Sequence, residues 1–199
     1  ELAEAELGPP PVPYCFMVLG SMAREEPTIN ADQDNALVLD DAYDPEQHGD
    51  YFEALATFVC DGLAGCGYAY CKGDVMATNP RWRQPLAVWK RYFAKWMREP
   101  NPERLLHSSI FFDLAPVHGE APMVEALQDL IAEQAPRSEL FLAALARNAK
   151  NRTPPLGFFR QFVMEQDGEH RKSINLKRRG TAPLTDLVQI GRASCRERV

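Results

Sequence analysis

Two carboxylates separated by one residue, Asp32 and Asp34, stand at the mouth of the apolar run Asn35-Ala-Leu-Val-Leu39. In an extended strand alternate side chains share a face, so this spacing turns both acids toward one point in space. Such a pair suits a hard divalent cation such as Mg²⁺, which prefers oxygen ligands and usually keeps a substrate phosphate as another. Upstream, Gly20-Ser21 closes a second apolar run, Tyr14-Cys-Phe-Met-Val-Leu19. Gly20 permits close backbone approach, and Ser21 at a helix start offers a hydroxyl and N–H groups to a phosphate. A third acid, Asp113, sits within Ser109-Ile-Phe-Phe-Asp-Leu114, which reads as an apolar strand. A charge there is costly unless paired or metal-bound, so Asp113 needs a cation. Three strand-borne carboxylates could hold two ions that activate a hydroxyl and stabilise a leaving pyrophosphate in an in-line displacement.

Each piece alone has a plainer reading, Gly-Ser as a turn and Asp-x-Asp as a solvated loop. It is their combination along one chain that points to function. Arg24 and Glu25, just after Gly20-Ser21, either pair with each other or set the loop for a phosphate. In Asn79-Pro-Arg-Trp-Arg-Gln84, Arg81 and Arg83 flank Trp82 and suit a triphosphate, while Trp82 itself reads better as a core residue. His48, His107, His118 and His170 have no metal-like spacing. Cys15, Cys60, Cys66, Cys71 and Cys195 form no C-x-x-C pair and read as buried or idle thiols in a reducing cytoplasm.

The elements that must position these groups follow from periodicity. Tyr14–Leu19 and Asn35–Leu39 read as buried strands, with a polar loop over 25–33 between them. Phe52, Leu55, Ala56, Val59 and Leu63 recur at helical steps over 45–64, stopped by Gly65 and Gly67. Leu86, Trp89, Phe93 and Trp96 repeat the pattern over 84–97, ended by Pro100 and Pro102. Ser109–Leu114 is expected as a third strand, broken by Ala115-Pro116. Beyond Gly119 come two Ala/Leu-rich helical patterns, 123–133 and 138–150, with Pro136 between them, and a strand-like run over 172–176. A domain boundary is therefore expected near residue 119.

Composition narrows the classes. Of 199 residues 45% are apolar and 25% charged, as in an ordinary globular chain. No run approaches the roughly 18 consecutive apolar residues of a membrane span. A net charge of −6 recruits no nucleic acid by bulk electrostatics. The chain starts at Glu1 with no signal peptide, as a fragment with more sequence upstream would. Its last stretch, residues 190–199, back-translates to a common short-read sequencing adapter read in frame, and is expected to be an exposed artefact that packs on nothing. Leu184 and Leu187 just before it are expected to be uncovered.

Gly20-Ser-Met-Ala-Arg-Glu, Asp32-Gln-Asp-Asn-Ala-Leu-Val38, Asn79-Pro-Arg-Trp-Arg-Gln84 and Ser109-Ile-Phe-Phe-Asp113 together resemble the nucleotidyltransferase domain of bacterial signal-transduction proteins. That domain belongs to the superfamily typified by DNA polymerase β, commonly follows CBS or cyclic-nucleotide-binding domains, and is similar to PII uridylyltransferase and glutamine synthetase adenylyltransferase. The resemblance implies an α/β catalytic domain over 1–119, with a mixed sheet and flanking helices, and a truncated α-helical substrate-binding domain over 120–189. Lys177-Arg-Arg-Gly180-Thr-Ala-Pro-Leu184-Thr-Asp186 resembles a motif that follows the catalytic domain in those transferases, with one glycine where they usually have two.

The implied activity is transfer of a nucleoside monophosphate from a nucleoside triphosphate to an acceptor hydroxyl, on a regulatory protein for example, in the cytoplasm. Asp32, Asp34 and Asp113 would be the catalytic and Mg²⁺- or Mn²⁺-binding residues. Gly20, Ser21, Arg24, Arg81 and Arg83 would hold the nucleotide. The alternative is a regulatory module that binds a triphosphate without transferring it.

Overall fold

The computed structural model describes residues 1–26, 31–150, 165–167, 170–173 and 182–194. In chain order the first elements are helix α1 (Leu2–Leu7), strand β1 (Tyr14–Leu19), the short helix α2 (Gly20–Ala23), strands β2 (Asp32–Gln33) and β3 (Asn35–Leu39), and helix α3 (Pro45–Gly65). Strands β4 (Ala69–Tyr70) and β5 (Arg83–Pro85) follow, then helices α4 (Leu86–Arg98) and α5 (Pro102–Phe111), strand β6 (Leu114–Gly119) and helix α6 (Ala121–Gln134). Last come α7 (Glu139–Lys150), the antiparallel strands β7 (Glu165–Asp167) and β8 (His170–Ser173), and α8 (Ala182–Ser194).

The two apolar runs pair with each other. β1 and β3 are antiparallel, in register from Tyr14 opposite Leu39 to Val18 opposite Asn35. β6 adds antiparallel on the other side of β1, and β5 parallel to β3, giving the order β5-β3-β1-β6. The fold is thus mixed α/β, a four-stranded mixed sheet with flanking helices. All five residues of β3 are buried, which is why Ala36 to Leu39 are continuously apolar rather than alternating. Phe52, Leu55 and Ala56 of α3 join Tyr14, Phe16, Leu37 and Leu39 in one core cluster. Trp82, Trp89, Phe93 and Phe111 form an aromatic cluster, tied to the sheet where Trp89 Nε1 donates to the Leu37 carbonyl at 2.9 Å.

Helix α3 starts where its sequence says it should. Asp44 caps it by accepting from Glu46 N at 2.9 Å, Pro45 occupies the first turn, and Gly67, at φ +99°, ends the exit. Gln84 belongs to β5, so α4 begins two residues later than its apolar period suggests.

The third strand does not lie where the sequence places it. Ser109–Leu114 is not a strand: the chain is helical through Phe111, Asp113 lies at the bend that follows, and the strand begins at Leu114. His107, Ser108 and Phe111 are the buried positions, a helical spacing hidden in a short apolar run that also fits a strand. Pro116, expected to break a strand, lies inside β6, which tolerates it because β6 is an edge of the sheet.

At the end of β6, Gly119 adopts φ +93° and a Cβ there would lie 2.1 Å from the Tyr14 carbonyl oxygen. Gly119→Ala is expected to lower unfolding stability by about 1–3 kcal/mol, through left-handed strain together with the shift that a Cβ so close to the Tyr14 carbonyl forces. A urea melt that does not move would contradict this packing.

Packing divides the described residues into two units, Glu1–Lys95 with His107–Ile131, and Trp96–Leu106 with those after Ile131. In the second, Ser138 Oγ donates to the Met97 carbonyl at 2.9 Å and α7 packs against α8. Leu184 and Leu187 are exposed, as expected, at 65% and 62%. The tail departs from expectation in part: α8 continues through Ser194 and Ala193 is buried in it. Of the strand-like run over 172–176, residues 172–173 lie in β8 and 174–176 fall outside the described residues. Among the described residues no helix is long and apolar enough to cross a membrane.

Candidate active site

Antiparallel pairing puts the end of β1 beside the beginnings of both β3 and β6. The main chain joins them there: Leu19 N donates to the Asp34 carbonyl at 2.9 Å, and Gly20 N to the Asp113 carbonyl at 2.9 Å. Gly20 turns the chain away at φ +55°, and the position of its missing Cβ is 3.5 Å from Asp34 Oδ2. A side chain at Gly20 would be strained by the left-handed backbone, and its Cβ would sit in ordinary contact with the Asp34 carboxylate.

Asp32 and Asp34 converge as their spacing requires. One carboxylate oxygen of each and the Sγ of Cys71 all lie within 4.8 Å of one another. Cys71 was not expected here. It arrives because β2 pairs in parallel with β4, Asp32 opposite Ala69 and Gln33 opposite Tyr70, which brings the residue just after β4 to the acids. Nothing local in the sequence signals that pairing. Burial, then a hydrogen bond to Asp34, pushes the Cys71 thiol up to about 11, so it carries its proton at neutral pH.

The alternate residues of the same stretch do the positioning. Gln33 and Asn35 are fully buried. Gln33 Nε2 donates to the Cys60 carbonyl at 3.0 Å and the Tyr68 carbonyl at 3.3 Å. Asn35 Nδ2 donates to Gln33 Oε1 at 3.1 Å, and its Oδ1 accepts from Ala77 N at 2.8 Å and from Cys60 Sγ at 3.5 Å. Two amides among buried apolar residues were the sequence signal for this network, overshadowed by the acids beside them.

Asp113 has its cation. Arg24 Nη1 donates to Asp113 Oδ2 at 2.6 Å, and the Asp113 side chain is only 3% exposed. Arg24 Nε also donates to Glu26 at 3.1 Å, so its acidic partners are Asp113 and Glu26. Burial works to lower the Arg24 pKa, but these hydrogen bonds outweigh it and the net direction is up. Asp113 is thus joined to Gly20 by its main chain and to Arg24 by its carboxylate, while the atom that completes the triangle with Asp32 and Asp34 is the Cys71 sulfur.

The remaining candidates separate. Ser21 is partly buried in the single turn of α2. Arg81 is exposed, its guanidinium 4.7 Å from the centroid of the Trp82 ring, and Trp82 is buried as a core residue. Arg83 departs from the phosphate role expected of it. It is 5% exposed, and its guanidinium donates to the Ala77 carbonyl at 2.8 Å and the Thr78 carbonyl at 3.0 Å, with Glu53 at 3.5 Å. A buried guanidinium spends its donors where it can, and these close the loop leading to β5.

Two family models match the chain. Residues 1–103 match the family model described as Putative nucleotidyltransferase DUF294. Residues 139–196 match a second, described as Putative nucleotidyltransferase substrate binding domain. No curated protein matches the chain.

Proposed function

The chain belongs to the nucleotidyltransferase family DUF294, and from that premise we propose that it moves a nucleoside monophosphate from a nucleoside triphosphate to an acceptor hydroxyl, releasing pyrophosphate. The observation that carries this reading is the convergence of Asp32 and Asp34 beside Gly20, where β1 ends. Two clustered carboxylates fit a hard divalent cation. Mg²⁺ or Mn²⁺ held by Asp32 and Asp34 would supply charge stabilisation to the phosphate oxygens.

The chain's own residues do the rest. Gly20 leaves room for the phosphates to approach, and Ser21 and the exposed Arg81 donate to them. Arg24 holds Asp113 until a triphosphate draws its guanidinium away. Asp113 then orients the acceptor hydroxyl and takes its proton.

On the same reading the transfer is of the uridylyl or adenylyl type, with a regulatory protein as acceptor. The catalytic domain spans 1–119 and part of a helical substrate-binding domain begins at 120, and the match of 139–196 to the second family carries that domain past residue 189 into the first part of the tail. The setting would be a cytoplasmic bacterial signal-transduction protein that also carries CBS or cyclic-nucleotide-binding domains.

The Arg24–Asp113 ion pair favours one second reading, a module that binds the triphosphate and keeps it. The test is incubation of the full-length protein with ATP or UTP, Mg²⁺ or Mn²⁺ and candidate protein acceptors. Metal-dependent pyrophosphate release is the expected result. Triphosphate binding without release would establish the silent module, and no binding at all would overturn both.

A further inference from the structure

We infer that Cys71 is a third donor at the Asp32–Asp34 pair, which makes this a site where a thiophilic divalent cation of the Zn²⁺ class outcompetes Mg²⁺. The inference rests on the reading of the two acids as a cation site. A Mg²⁺ site has no use for sulfur, because that ion takes oxygen ligands almost exclusively, whereas Zn²⁺ accepts carboxylate and thiolate together. The sulfur is held at the pair from two directions. On one side the parallel β2–β4 pairing delivers it. On the other, the chain turns back at once, with Asp74 N donating to the Cys71 carbonyl at 3.0 Å and the Sγ lying 3.6 Å from where a Cβ on Gly73 would stand. Cys66, five residues earlier, is exposed, whereas Cys71 is partly buried against the acids. On binding, the S–H proton leaves to solvent and the freed sulfur lone pair forms the bond to the cation. A thiophilic ion so held gains a ligand that Mg²⁺ cannot use, which favours it over Mg²⁺ at this pair.

The experiment uses the whole chain and Cd²⁺ as a spectroscopic stand-in for Zn²⁺, read by the ultraviolet sulfur-to-metal charge-transfer band and by direct titration. Mn²⁺ affinity is followed in parallel by electron paramagnetic resonance. The wild-type protein is expected to show the band. Cys71→Ser and Cys71→Ala are expected to lose it and to bind Cd²⁺ at least about tenfold more weakly with Mn²⁺ affinity unchanged. Cys66→Ser should keep the band. A band that survives in both Cys71 variants, or equal Cd²⁺ affinity with and without the thiol, overturns the inference. If Asp34→Asn meanwhile weakens Mn²⁺, the reading of the acids stands and only the role of Cys71 falls. If Asp34→Asn leaves Mn²⁺ affinity unchanged, the cation site itself is wrong and the inference goes with it.

Discussion

Asp34→Asn is expected to reduce metal-dependent pyrophosphate release by about 10²-fold or more, because charge stabilisation by a bound cation is worth several kcal/mol and each 1.4 kcal/mol is a factor of ten. The fold should survive. The structural role of Asp34 in joining the strands is played by its backbone carbonyl, which accepts from Leu19 N and is untouched by the substitution. Removing one of two clustered negative charges also relieves repulsion in the metal-free protein. The measurement is turnover of wild type and variant at matched circular dichroism. Undiminished turnover in a folded variant would remove Asp34 from the chemistry.

The largest loss of stability is expected from Asn35→Ala. Asn35 is fully buried and serves three neighbours, Gln33, Ala77 and Cys60. Truncation orphans the Ala77 N–H and Gln33 Oε1, each costing about 1–3 kcal/mol when left unpaired in the interior, so unfolding stability should fall by about 3–4 kcal/mol. Denaturant titration reads this directly. A fall below about 1 kcal/mol would show that the network can re-form around the gap. Because Gln33 and Asn35 flank Asp34, the variant should also loosen the acids, and weaker Mn²⁺ binding in the residual folded protein would report it.

Much of this was legible in the sequence, for identifiable reasons. β1 and β3 were readable because strands buried on both faces are short, continuous apolar runs bounded by Gly20 and Asp40. The convergence of Asp32 and Asp34 was legible in their alternate spacing, although Asp34 lies at the junction between β2 and β3 rather than within one strand. α3 was readable because its apolar spacing, its Asp44-Pro45 start and its glycine stop all agree. What was illegible depended on distant partners. The apolar neighbours of Asp113 mark it as a charge needing a cation, but that the cation is Arg24 requires knowing that β6 lies next to β1. Cys71 reads in the sequence like the other thiols because only the pairing of β2 with β4 brings it to the acids. Arg83 looked equivalent to Arg81 because one-residue spacing does not say which of two cations turns inward.

The backbone bonds that gather Leu19, Gly20, Asp34 and Asp113 depend on no side chain at all. A lineage that traded the acids at 32, 34 or 113 for other residues would therefore inherit the same strand ends at the same spacing. Catalytic and silent descendants of such a skeleton would be superimposable in their main chains. What distinguishes them would have to be sought in the handful of groups mounted on it, with Arg24 and Cys71 counted alongside the acids.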